Sequence, residues 1–287
     1  MPVTERQLAA FADQHGHQIP YDTSPRHLAG PGDARHVTHG LAAAGWTTSS
    51  DPLSPQIALT SPDRRYTMEF NPQSRVGTWW TLRAEYTDTA PGWYAAFGEL
   101  VPAEVLGRLT DALSVPPPDL GLSPFQILES AGWQVGPTAT AHSPDGMCHV
   151  ESHVEALQGD AQTSYWRVEA CEPGHGTPIG RQIWGAWLPS PVPEFLVTAF
   201  LQALTAPEPL QRAMYDRTAH YRAAQKPSAL SPEQVVQAHA DRLKTIRAQV
   251  RAARRQPTTT PRPLLRSPVP TERPFAASPE RTPHHHF

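Results

Sequence analysis

Cysteine is nearly absent from this 287-residue chain: only Cys148 and Cys171 occur, too few for the disulfide framework that staples small secreted domains. Both are expected as reduced thiols. No apolar run approaches the roughly 18 residues of a membrane-spanning helix. The first residues carry Glu5, Arg6 and Asp13 where an export signal would place an apolar core. A soluble, cytoplasmic protein without membrane contact is the expectation. Catalytic signatures are missing too, for no Walker loop, G-x-S-x-G or H-E-x-x-H occurs. Gly174, Gly176 and Gly180 in GHGTPIG have the wrong spacing for a dinucleotide fingerprint and lead into a strand-like segment, so they read as a hairpin loop.

Proline is plentiful. The 33 prolines are about twice the usual share and limit long helices. Charge is unevenly spread: residues 1–241 hold 14 Lys/Arg against 25 Asp/Glu, a net −11, whereas residues 242–287 hold 10 against 2, a net +8. Any polyanion contact is expected at this basic C-terminal arm.

The chain is written twice. Leu41, Ala44, Gly45 and Trp46 match Leu128, Ala131, Gly132 and Trp133; Ser61, Pro62 and Asp63 match Ser143, Pro144 and Asp145. Further on, Trp80, Leu82 and Ala84 match Trp166, Val168 and Ala170, and Trp93, Val101, Pro102 and Leu109 match Trp184, Val192, Pro193 and Phe200. The offset runs 87, 82, 86 and 91, changing only between elements, where loops absorb length. Gly45 and Gly132 predict left-handed helix stops with the following Trp folded back. Ser-Pro-Asp predicts a type I turn closing a hairpin, since Pro fixes φ at the second position. Ile57 and Leu59 alternate before the first turn, and Tyr66, Met68 and Phe70 after it. Smaller residues, Ala139, Ala141, Cys148 and Val150, stand in the second copy. Third and fourth strands around Trp80/Trp166 and Trp93/Trp184 and a closing helix complete the unit. The expected fold class is therefore α+β, with two tandem copies of a helix, a four-stranded antiparallel meander and a helix. A C-terminal helix and a disordered tail follow. Copies of about 90 residues bury little surface alone and are expected to pack on each other.

AAGW, SPD, WWTLRAEY and PGWYAAFGELVPAEVLGRLTDAL resemble the actinobacterial SPDY-type repeat family, a domain of unknown function found in tandem. SAGW, SPDG, YWRVEA and IWGAWLPSPVPEFLVTAFLQAL resemble a more divergent copy. Arg64 and Gly146 replace the eponymous aromatic. The resemblance implies architecture only, with no catalytic residue or cofactor to carry over. The organisation reads as an N-terminal segment 1–25 with a short helix, repeats at 26–118 and 119–210, a helical region 211–256 and a Pro/Arg/Thr-rich tail 257–287.

Candidate chemistry is sparse. No histidine is matched between the copies to serve Ser61/Asp63 or Ser143/Asp145 as base, so no catalytic residue is assigned. His149, Glu151, His153 and Glu155 share one strand face and read as a solvated polar face. Thr67 holds the His149 position in the first copy, and neither a metal nor another cofactor is expected. Cys148 is expected inward and Cys171 outward, making them poor joint ligands. Trp79 and Tyr165 stand beside the inward Trp80 and Trp166 and either fill the seam between the copies or form an exposed binding patch.

Ser231, Pro232 and Gln234 start a helix whose stripe, Val236, Leu243 and Val250 with His239, Ile246 and Ala253, either docks on the body or pairs between chains. Arg247, Arg251, Arg254 and Arg255 near its end cap the helix or contact phosphate. Residues 257–287 hold 8 prolines in 31 positions and are expected to be disordered. The leading reading is a non-enzymatic interaction or scaffold module with a protein partner. A nucleic-acid accessory using the arm, or an enzyme with a site at the repeat seam, are the alternatives.

Overall fold

The computed structural model describes residues 3–49, 55–117, 121–156, 162–174 and 180–255. The tail 257–287, Pro118, Gly176 and His284 to His286 lie outside them. Helix α1 (Glu5–His15) starts at a capping box: Thr4 accepts from the Gln7 amide, and the Gln7 side chain accepts from the Thr4 amide. Strand β1 (Pro20–Ser24) follows. The first copy then runs α2 (Arg35–Ala43), β2 (Thr47–Thr48), β3 (Ile57–Thr60), β4 (Tyr66–Phe70), β5 (Thr78–Ala84), β6 (Trp93–Gly98) and α3 (Ala103–Ser114). The second repeats that order as α4 (Pro124–Ser130), β7 (Gln134–Gly136), β8 (Thr140–His142), β9 (Cys148–Ala156), β10 (Gln162–Cys171), β11 (Gln182–Pro189) and α5 (Glu194–Thr205). After it come β12 (Leu210–Ala213), β13 (Ala224–Pro227) and α6 (Pro232–Arg255).

The α+β class and the duplication hold, but each copy has five strands rather than four. The additional ones, β2 and β7, are only two and three residues long, too short to show an alternating pattern. All ten strands join in one antiparallel sheet of order β2-β3-β4-β5-β6-β11-β10-β9-β8-β7. The copies meet edge to edge, Phe97 opposite Ala186 and Ala96 opposite Trp187. These pairs obey a twofold relation, because Ala95 and Ala186 are equivalent and so are Phe97 and Leu188. The pseudo-axis passes through the Ala96–Trp187 pair. Helices cover one face of the sheet, with Phe97 against Phe200 at 5.7 Å beneath α3 and α5. Met68, Leu82, Leu106, Val150, Val168 and Leu201 are buried in the same core.

Both helix stops form as the sequence predicts. Trp46 and Trp133 donate from their backbone N–H to Leu41 and Leu128 carbonyls, each at 3.0 Å, and Gly45 and Gly132 take φ of +97° and +79°. Nothing lies within 4 Å of a Cβ built on Gly132. Gly132→Ala is therefore expected to cost backbone strain alone, about 1–2 kcal/mol. Calorimetry should record a fall of roughly 2–6 °C in the melting midpoint; an unchanged midpoint would contradict the left-handed stop.

The Ser-Pro-Asp turns are alike in both copies. Ser61 Oγ donates to Asp63 at 2.5 Å and accepts from the Tyr66 N–H at 2.9 Å; Ser143 donates to Asp145 at 2.5 Å and accepts from the Cys148 N–H at 2.8 Å. Arg64 and Gly146 close the turns by donating to the Ser61 and Ser143 carbonyls, each at 2.9 Å.

Residues outside the copies form a second sheet, β12-β1-β13. The region after Leu210 is thus not wholly helical: β12 and β13 pair with β1, whose residues lie about 190–205 positions earlier. Helix α6 docks on its own chain, with His239, Leu243 and Ile246 buried and Phe11 of α1 stacked on His239 at 3.9 Å. No helix among the described residues is long and apolar enough to cross a membrane.

Candidate functional site

The sheet face away from the helices carries a cleft of about 590 Å³ at the seam. Alternation along β6 and β11 builds it: Trp93, Ala95 and Phe97 face the core, as do Trp184, Ala186 and Leu188, which turns Tyr94 and Trp187 outward. Tyr94 is 44% exposed and Trp187 36%, and their rings meet edge-on at 5.1 Å. Tyr165 extends the cluster, 6.5 Å from Trp187 and 5.3 Å from His153. Because Ala96 is the small residue paired with Trp187, a single indole stands near the pseudo-axis with open space beside it.

Trp79 does not join this cluster. A register shift between Thr78 and Trp80 leaves Trp79 half-buried and edge-on to Phe70 at 5.9 Å. The two aromatic positions read as equivalent from the sequence are therefore used differently. Alternation along the sequence sets Trp187 on the face opposite Trp184 but does not single out Tyr94, although both occupy outward positions of strongly alternating strands.

At the polar end of the cleft, Glu169 accepts from Arg167 Nε at 2.7 Å and from Gln182 Nε2 at 2.8 Å. His149 Nε2 lies 3.0 Å from its other oxygen. Two expectations are corrected here. His149 is buried rather than solvated, and Cys171 is 4% exposed although it lies on the predicted outward face. Arg167 and Gln182 reach over Glu169, and a bulge between Ala170 and Cys171 alters the strand at this point. Burial pushes the Cys171 thiol up to about 11. His149, Glu169 and Cys171 bring ligating atoms within 4.8 Å of one another, the one such group of three among the described residues. Cys148 faces the apolar core, as predicted.

In the second copy the Ser-Pro-Asp turn has a histidine beside it. Asp145 accepts from Ser143 and pairs with His27 Nε2 at 2.9 Å, so the carboxylate stands between hydroxyl and imidazole and the imidazole cannot act as base on the serine. Although burial alone would raise it, the His27 contact holds the Asp145 carboxyl well below its usual range.

On the helix side a second cavity, about 450 Å³, opens between α1, α2, α3, α6 and the small sheet. Its arginines are largely committed to internal partners: Arg212 to Glu104 at 2.6 and 3.0 Å, Arg242 to Asp111 at 2.7 Å and Arg217 to Glu99. Beside it lie His36, His39 and His239, with His39 Nδ1 3.1 Å from His239 Nε2. Burial, reinforced by Arg35, pushes His39 down to about 4; burial and the neighbouring histidines lower His239 further. The signal for this cluster was a histidine on the apolar stripe of α6.

Of the arm residues, Arg247 is half-buried with Nε unpartnered. Arg254 Nη2 lies 3.3 Å from the place a Cβ would take on Gly45. Arg251, Arg254 and Arg255 are all exposed.

Architecture thus defines a tandem-repeat α+β protein. The family model of SPDY, described as a domain of unknown function (DUF317), matches residues 60–118 and 142–210, one match in each structural repeat, so the chain carries two SPDY-like segments. Each match starts at a Ser-Pro-Asp hairpin and runs past the closing helix, α3 or α5, leaving α2 and α4 of the structural repeat outside it. No curated protein and no solved structure matches the chain.

Proposed function

We propose that this protein is a non-enzymatic interaction module that receives a polypeptide partner on the open sheet face at the seam between its two repeats. One observation carries the reading: the Tyr94–Tyr165–Trp187 cluster crosses from one copy to the other beside a cleft on the uncovered side. Partly exposed Trp and Tyr next to a recess are the side chains that dominate protein interfaces. The sheet edges are less suited, since β2 and β7 are too short to template an added strand. At the polar end of the cleft Arg167 and Gln182 are both tied to Glu169, which leaves the aromatic cluster as its open surface. The module acts in a cytoplasmic, reducing setting in which Cys148 and Cys171 remain thiols.

Nucleic-acid contact through the arm is the weaker reading. With Arg247 half-buried against the body, Arg251, Arg254 and Arg255 are the exposed cations at the end of α6, a small number for an affinity that scales with the charges neutralised.

Capture from the source cell tests the proposal. A partner held by the wild-type chain is expected to weaken about 30-fold or more with Trp187→Ala, the scale of a hot-spot residue, and to be retained by Tyr86→Ala, which alters an exposed residue elsewhere. Equal capture by wild type and Trp187→Ala would refute it.

A further inference from the structure

We infer that His149, Glu169 and Cys171 form a binding site for a divalent transition metal of the zinc class, a site present in the second repeat and not in the first. The donor set is an imidazole nitrogen, a carboxylate oxygen and a sulfur, the ligand types that zinc takes together. All three residues are buried, and their ligating atoms already lie within 4.8 Å of one another. They come from facing strands: Glu169 pairs directly with His149 across β9 and β10, and Cys171 follows on the same face.

The first copy offers an internal comparison. Thr67, Arg83 and Glu85 occupy the positions equivalent to His149, Glu169 and Cys171, and none of the three is buried. Where the copies share a strand framework, the second has thus replaced a hydroxyl, a cation and a carboxylate by three ligands at one spot and enclosed them. Arg167 and Gln182, both bonded to Glu169, supply the outer hydrogen bonds that orient a ligating carboxylate. The second copy also builds its first hairpin from Ala141, Cys148 and Val150 where the first has the larger Leu59, Tyr66 and Met68. A metal clip between β9 and β10 would brace the half with less apolar volume.

Binding forms bonds from the metal to Cys171 Sγ, a Glu169 oxygen and His149 Nε2. The Cys171 thiol proton leaves to solvent, and the imidazole proton now shared with Glu169 resides on Nδ1 instead. A fourth position remains for water.

Cobalt(II) titration of the full-length chain tests the site, because thiolate ligation gives a near-ultraviolet charge-transfer band that the terminal histidines cannot produce. The wild type and Cys148→Ala are expected to develop the band at one metal per chain, and Cys171→Ser to lose it. Glu169→Gln, nearly isosteric, should weaken cobalt binding at least tenfold, and zinc should displace cobalt and raise the melting midpoint of the wild type but not of Cys171→Ser. No thiolate band in folded wild-type protein, or a band that survives Cys171→Ser, overturns the site. Partner capture is read independently, so either result can fail without the other.

Discussion

Replacing Arg212 by alanine is expected to destabilise the protein by about 3–5 kcal/mol, the cost of stranding one member of a buried ion pair. The Arg212 side chain is 1% exposed. Its guanidinium grips Glu104 of α3 through two bonds and also donates to the carbonyls of Ala29, Gly30 and Gln211, at 3.0, 3.1 and 2.6 Å. Three distant parts of the chain converge on this group: the loop before α2, helix α3 and strand β12. Gly32 lies so close that a Cβ there would sit 2.9 Å from both Arg212 Nη2 and Glu104 Oε2. Burial would raise the Glu104 carboxyl, but Arg212 and His36 hold it below its ordinary value, so in the variant it must be desolvated without its counterion. Urea unfolding is the measurement. Pairing Arg212→Met with Glu104→Met should recover part of the loss, the three carbonyls still lacking their donor; a single-variant loss under about 1 kcal/mol would show that the pair contributes as little as a surface bridge.

Acidification is expected to loosen α6. His36, His39 and His239 have folded-state values below the ordinary histidine value. Between the unfolded and folded values, the unfolded chain takes up protons that the native state refuses. Stability is thus fully present above about pH 6.5 and is lost as pH falls towards the folded value of about 4 for His39. Each such histidine contributes about 1.4 kcal/mol per pH unit inside its window, so His39 and His239 together give roughly 2–3 kcal/mol per unit. Asp33 and Glu104, whose carboxyls lie below their usual values, begin to lose their contribution only below about pH 5, while Asp111, whose carboxyl burial raises, works in the opposite direction, so the histidines dominate between about pH 6.5 and 5. Urea midpoints measured across that interval should fall steeply in the wild type and less so in His239→Leu. A flat profile would mean that water or a partner already solvates these rings.

Much of this architecture is legible in the sequence because a few positions leave no alternative. A helix that ends at Gly45 or Gly132 and a hairpin that turns at Ser-Pro-Asp are local consequences of backbone geometry, and their repetition exposes the duplication. What the sequence hid is non-local. Strands β2 and β7 are too short for periodicity, and β1 finds its partners almost 190 residues away. The clustering of His36, His39 and His239 depends on where α6 docks, which a stripe of Leu243, Ile246 and Val250 leaves open between self-docking and pairing. Strand alternation placed Glu169 and Cys171 on the side away from the core, yet only the register of β9 against β10 sets His149 beside them.

The twofold pairing of β6 with β11 makes the chain equivalent to two like protomers fused end to end. A single repeat of this kind would present a bare row of amides and carbonyls along its inner strand, and its natural complement would be another such unit. Tethering both on one polypeptide removes dilution as a threat to the joint and frees the two halves to diverge, so that one could keep the larger core while the other collected histidine, glutamate and cysteine.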